Sequence, residues 1–301
     1  MTDSPLGAES GELAGPELSS TGMTTSETYD ERHARAADVF SRFIPGVEPE
    51  RVALSMARKL GALGSFAFNT VGDMWSRPQL SRRDRSLMII SVLSAQARDE
   101  ELELHTQVGL NHGLTRTEIE EILLHIAAYA GFPAAMASSR HMDVAFRKAE
   151  GVERIEGRVA AAQKSDAERD RDAADVMRTL TGGRAAPDPA EAFANIAGSL
   201  GGVGEFAFRW AFGEIWCRPE LSRRDRSLVV IAILGALGQV HELAFHVPAG
   251  LNHGLTRVEI EEIMTHLSLY AGFPKAVDAM RAAREAFAKL DARDEARQDG
   301  A

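Results

Sequence analysis

Cysteine is nearly absent from this sequence: Cys217 is the single one among 301 residues. One thiol excludes an internal disulfide, a two-cysteine redox centre and a thiolate zinc site within one chain. Long apolar runs are missing as well, and nothing approaches the roughly 20 residues that a membrane span requires. Positive charge is in deficit, with a net charge of −10. The densest basic clusters, Arg82-Arg83-Asp84-Arg85 and Arg223-Arg224-Asp225-Arg226, are short and interrupted by acid. Such a chain repels a polyanion, so neither nucleic acid nor a membrane is expected as partner. There is no phosphate loop, no Gly-x-Gly-x-x-Gly turn after a strand and no Gly-x-Ser-x-Gly elbow. A nucleotide cofactor therefore has no anchor, and no cofactor is expected. Residues 1–28 lack a basic start and an apolar h-region and are rich in Ser, Thr, Gly and Glu. They read as a disordered tail rather than a targeting signal, which places the protein in the cytoplasm.

What is present suits a folded chain of about two domains: 45% of residues are hydrophobic and 26% charged. The organising feature is a duplication. Trp75–Pro133 and Trp216–Pro274 align without a gap at an offset of 141, with about 36 of 59 positions identical. Both copies carry Leu-Ser-Arg-Arg-Asp-Arg-Ser-Leu, Gly-Leu-Asn-His-Gly-Leu-Thr-Arg and Tyr-Ala-Gly-Phe-Pro. Upstream, Ala36-Ala37-Asp38-Val39 is echoed by Ala173-Ala174-Asp175-Val176. Gly64 with Phe66-Ala67-Phe68 is echoed by Gly204 with Phe206-Ala207-Phe208, one residue out of step. The expected organisation is a tail over 1–28, domains over 29–150 and 166–292, a connector over 151–165 and a tail over 293–301. Repeats of this length are duplicated domains, not a solenoid.

The pattern predicts helices throughout. Ser81 with Asp84 opens a helix whose run through Leu87, Met88, Ile89, Ile90 and Leu93 is apolar nearly all round. A second helix runs from about Glu100 to His112 and stops at Gly113. Thr115 and Glu118 form a capping box for a third, and Pro133 stands near the permitted first turn of the next. No alternating strand pattern appears. The expected fold is all-α, with pseudo-twofold symmetry inside one chain.

Chemistry is expected where polar residues recur in both copies. Glu101 and His105, like Glu242 and His246, stand four apart on one helix face. A carboxylate there can orient the imidazole and support acid–base work, or the two can be an ordinary surface pair. Asn111-His112 and Asn252-His253 precede a helix-ending Gly; they are either caps or substrate contacts. Arg85 and Arg226 lie in apolar helices and need a partner, which is either a substrate carboxylate or an acid such as Asp84, Glu118 or one from a neighbouring subunit. Trp75, Trp216, Tyr129 and Tyr270 are candidate pocket walls. Glu118, Glu121 and His125, with Glu259, Glu262 and His266, have the wrong spacing for a di-iron-type site, and no metal is expected.

These motifs together resemble the carboxymuconolactone decarboxylase family, over nearly all of 29–292. The resemblance implies an all-helical domain shared with alkylhydroperoxidase-D-like peroxidases, subunits that assemble as trimers or hexamers, and hence a chain of two fused subunits forming a homo-oligomer. The peroxidase branch uses Cys-x-x-Cys with a His four residues on; here Glu101 and Glu242 replace the second Cys. The implied reaction is cofactor-free loss of CO2 from a carboxylated unsaturated lactone. His105 or His246 would be the acid, oriented by Glu101 or Glu242, with Arg85 or Arg226 placing the anion. A tailoring role on aromatic polyketide or quinone-type substrates, without decarboxylation, and a non-catalytic ligand-binding or assembly role stand as alternatives. Pro248, two residues after His246, and His241 in place of Glu100 make the copies unequal.

Overall fold

The computed structural model describes residues 27–299; most of the expected N-terminal tail and the last two residues lie outside them. Among the described residues there is no strand. The first half comprises α1 (Tyr29–Phe43), α2 (Pro49–Leu60), α3 (Ala62–Trp75), α4 (Arg82–Ala95), α5 (Asp99–Asn111), α6 (Arg116–Tyr129) and α7 (Phe132–Glu150). Residues 151–165 are non-helical. The second half repeats the order: α8 (Asp166–Leu180), α9 (Pro189–Leu200), α10 (Gly202–Phe206) running into a π-helical segment (Ala207–Trp216), then α11 (Arg223–Leu237), α12 (Val240–Asn252), α13 (Arg257–Tyr270) and α14 (Phe273–Asp299). The last helix continues unbroken through positions 293–299, which were expected as a tail.

Local chemistry sets the boundaries. Thr115 and Thr256 each close a complete capping box with Glu118 and Glu259, and Ser81 and Ser222 accept from the backbone N–H of Asp84 and Asp225. Pro133 sits in the first turn of α7. Helices α4 and α11 are buried nearly all round, from Asp84 to Ser94 and from Asp225 to Ala236. They pack on each other between the halves, and each also receives the other half's α13 or α6.

The contacts across this junction are reciprocal. Arg83 reaches Asp225 at 2.9 Å and Arg224 reaches Asp84 at 3.0 Å. Reciprocity of this kind defines a pseudo-twofold axis. The halves nonetheless differ by one residue before the tryptophan. The offset shifts from 140 at Gly64/Gly204 to 141 at Trp75/Trp216, and the extra residue is absorbed by the π-helix.

Gly72 shows how tightly α3 lies on α1. A Cβ there would stand 2.4 Å from Ala36 Cβ and 2.5 Å from Ala36 Cα. Gly72→Ala should cost about 1–3 kcal/mol through overpacking. A lowered urea midpoint at unchanged slope is the expected reading; an unchanged midpoint would contradict the tight contact.

Candidate active site

Trp75 closes α3 and Trp216 closes the π-helical segment, both almost wholly buried. Each indole N–H crosses to the other half. Trp75 Nε1 donates to Tyr270 Oη at 3.1 Å, and Trp216 Nε1 donates to Tyr129 Oη at 3.0 Å. His105 stacks on Trp75 with ring centroids 6.1 Å apart and 18° between planes, and His246 stacks on Trp216 at 6.0 Å and 15°. His112 and His266 complete the Trp75 cluster at 5.6 and 5.1 Å. His253 and His125 complete the other at 5.9 and 5.2 Å. Both clusters are thus composite. His105, His112 and Trp75 meet His266 and Tyr270 of the second half, while His246, His253 and Trp216 meet His125 and Tyr129 of the first.

The helix pattern delivers these rings inward. On α5 the buried residues are Leu102, His105, Thr106, Val108 and Gly109, one face of a helix. His105 is 7% exposed and His246 4%. Burial holds the His105 imidazole down at about 4, with the nearby His112 adding to the effect. His246 is held at about 3 by burial and His253. His112 and His253 are held at about 4, by burial first and then by Arg82 and Arg42, or by Arg223. Burial pushes the phenols of Tyr129 and Tyr270 upward, so both stay protonated. At neutral pH each cluster is an uncharged, desolvated set of imidazoles beside a phenol.

The arginines act differently from the expected substrate clamp. Arg85 is fully buried, and its NH2 donates to Glu262 Oε1 at 2.7 Å and to the Arg77 carbonyl at 2.6 Å. Its NH1 donates to His266 Nδ1 at 3.1 Å. Arg226 repeats this with Glu121 at 2.8 Å and His125 at 3.1 Å. Arg77 and Arg218 grip the same carboxylates side-on. The observed partner is an acid from the other half of the same chain, rather than Asp84, Glu118 or one from a neighbouring subunit. The guanidinium is a donor only, so the ring nitrogen it meets is an acceptor and the imidazole is neutral.

Glu101 and Glu242 do not orient the histidines as expected. Both are exposed, neither hydrogen-bonds its histidine, and His105 Nδ1 is buried without a partner. Asn111 and Asn252 serve the fold: their Nδ2 atoms donate to the Phe43 and Leu180 carbonyls at 2.9 and 2.7 Å, closing α1 and α8. His112 and His253 meet Ser86 and Ser227 hydroxyls at 2.8 Å through Nδ1. Glu118 caps α6 and pairs with Arg83, while Glu121 and His125 serve Arg226. No metal-competent group of three ligands occurs among the described residues. The placement of His125, His266 and Phe43 in the clusters was missed from sequence, although the two histidines do recur in both copies.

Among the described residues, surface hollows of about 240 to 690 Å3 are lined by neither His105 nor His246. A groove of about 580 Å3 includes Ala128 and Ile215, sequence neighbours of Tyr129 and Trp216, and a hollow of about 240 Å3 includes Glu121, Leu124 and Ile215. No helix among the described residues is long and apolar enough to cross a membrane.

The architecture is that of a duplicated, all-helical domain with histidines buried at the junction of its halves. The sequence profile of the carboxymuconolactone decarboxylase family matches it twice, over residues 64–143 and 202–285. The chain belongs to that family and carries its domain in tandem. It is 49% identical over 85 residues to a 4-carboxymuconolactone decarboxylase of Acinetobacter baylyi, covering 28% of this chain and 63% of that protein. It is 36% identical over 76 residues to the nitrosuccinic acid decarboxylase npaB of Metarhizium robertsii, covering 25% of this chain and 53% of that protein. The matched segments thus span little more than half of each relative's length.

Proposed function

We propose that the chain is a cytoplasmic, homo-oligomeric decarboxylase that needs no cofactor and acts on a carboxylated unsaturated lactone or a related cyclic anion. Two relatives named as decarboxylases support the reaction class. The observation that carries the reading is the desolvated imidazole of His105, and of His246, stacked on a tryptophan whose N–H holds a tyrosine from the other half. The catalytic unit is the domain pair 29–150 and 166–292, because each histidine cluster draws on both.

In the reaction the bond to the carboxylate carbon breaks and CO2 leaves. The electron pair moves through the ring double bond onto the lactone carbonyl oxygen. A phenol kept protonated by burial, Tyr270 or Tyr129, donates to that oxygen. The imidazole then gives a proton to carbon and regains one from water. His105 is neutral before binding, since burial holds it near 4. An incoming anion raises that value, so protonation follows binding. Arg82 and Arg42 extend a positive potential toward His112 in the same cluster.

Titration of 4-carboxymuconolactone at pH 6–7, in buffers of different ionisation heat, should therefore show uptake of about one proton per bound anion. No uptake would contradict the imidazole as acid. The double variant His105→Ala/His246→Ala should lose CO2 release while keeping its far-ultraviolet dichroism, and full activity in it would end the proposal. The enclosure of both rings favours one other reading, a non-catalytic ligand-binding or assembly protein on the same fold. Saturable binding of the lactone to the unaltered protein without CO2 release would install that reading instead.

A further inference from the structure

The two histidine clusters share an ancestor, but their hydrogen bonding is unequal. In the first, three imidazole nitrogens are buried without a partner: Nδ1 of His105, Nε2 of His112 and Nε2 of His266. In the second, among the described residues, Nδ1 of His125 alone is in that state. A buried polar atom left unpaired costs about 1–3 kcal/mol, so an accumulation of three at one place needs a reason.

Named substitutions produce the difference. Position 42 of α1 is Arg and its counterpart in α8 is Thr179, whose hydroxyl meets His253 Nε2 at 3.1 Å. With Ser227 on Nδ1, both nitrogens of His253 are satisfied. Tyr129 Oη stands 3.5 Å from His246 Nε2. Its oxygen already accepts the Trp216 N–H, so its own proton is free to point to that nitrogen. No such contact joins Tyr270 and His105. Phe245, in place of Leu104, sets its ring 5.1 Å from His246. Leu180 replaces Phe43, which faces Trp75 at 4.6 Å in the first cluster.

We infer that ligand binding and turnover reside in the first cluster, around His105, and that the second, around His246, is a closed counterpart that braces the junction of the halves. This rests on the decarboxylase reading for the word turnover, but not for the binding. An anionic cyclic ligand presents the polar atoms that the unpaired nitrogens of the first cluster lack. In the second, Thr179 already occupies the nitrogen of His253 that corresponds to Nε2 of His112, and Tyr129 stands over Nε2 of His246, a side of the ring that Tyr270 leaves open in His105. The product of duplication is then one working site and one structural site, with Tyr270 and His266 lent to the working one by the second half.

Two measurements test it. In the full chain, with histidine labelled in 15N and 13C, 2-furoate serves as a small cyclic carboxylate. The signals of His105 and His112 should shift saturably while those of His246 and His253 stay in place. Equal shifts in both pairs, shifts confined to His246 and His253, or no shift in any of the four, would overturn the inference. In the CO2 assay with 4-carboxymuconolactone, His105→Asn alone should lose at least a hundredfold, with His105→Gln as a second variant should the first unfold. A folded His105 variant that keeps a third or more of the activity would overturn it. Failure of the unaltered protein to release CO2 would defeat the proposed reaction alone, because the furoate titration still decides between the clusters.

Discussion

Glu262→Gln should destabilise the protein by about 3–5 kcal/mol, because it strips the countercharge from a buried arginine. Arg85 is fully buried, and the Glu262 side chain is 1% exposed. That carboxylate also accepts a side-on grip from Arg77, at 2.8–3.0 Å. An amide has one acceptor oxygen and no charge, so it cannot satisfy both guanidinium groups. Arg85 lies in the first half and Glu262 in the second, so the loss loosens the junction on which Tyr270 and His266 are carried. Urea unfolding measures it directly. Replacing both partners with apolar residues of similar size, as in Arg85→Met/Glu262→Leu, should cost clearly less than either single change. Desolvating an ion pair offsets most of its attraction, and the main penalty arises from an unpaired charge. A loss below about 1 kcal/mol for Glu262→Gln would show that Arg85 finds another partner. The same experiment on Glu121→Gln probes the mirror pair with Arg226.

The duplication, the helical class and most helix ends were legible in the sequence because they depend on neighbours along the chain. Thr115 with Glu118, the stop at Gly113 and the apolar run of α4 are local events, and the structure shows each. Even the π-helix left a trace, in the shift of the repeat offset from 140 to 141. The clusters were half legible. Recurrence marked His105, His246, Trp75 and Tyr270, but it could not say that Trp75 meets a tyrosine 195 positions away. Nor could it separate a clamp for substrate from a clasp between halves, since Arg85 requires a buried anion in either case. The partner proved to be Glu262, which spacing alone had grouped with metal candidates. Glu101 failed for a geometric reason. Residues four apart differ by about 40° around a helix, and the edge of the buried face of α5 falls between them. His105 turns inward to Trp75 and Glu101 stays in solvent.

Acid should unfold this protein early, well above the range in which its carboxylates titrate. Four imidazoles are almost wholly buried in neutral form, and the partly buried His112 and His253 are held at about 4 beside them. Burial, with a small contribution from His112 or His253, holds His105 near 4 and His246 near 3. Burial and the neighbouring Arg226 or Arg85 hold His125 and His266 well below the ordinary 6.5. In the unfolded chain all six take up protons near that ordinary value. Between about 6.5 and 4 the unfolded state thus binds protons that the fold refuses, and stability must fall as pH falls. The stabilisation is complete above about 6.5 and is lost as pH drops through the folded values. At pH 5 the difference is at most about 2 kcal/mol per ring, and four rings together rival the 5–15 kcal/mol that holds most domains folded. Carboxylates do not explain a loss in this window. Asp38, Glu118, Glu259 and Asp291 are held below the ordinary carboxylate range in the fold, and in the unfolded chain carboxylates are still largely ionised at pH 5–6.5. Urea midpoints measured from pH 8 to 5 should be level above about 6.5 and then drop steeply, with the double variant His105→Gln/His246→Gln showing about two-thirds of the slope, since His112, His125, His253 and His266 remain. A curve that stays flat down to pH 5 would mean that the buried imidazoles are solvated in the native protein, and the desolvated acid required for decarboxylation would go with them.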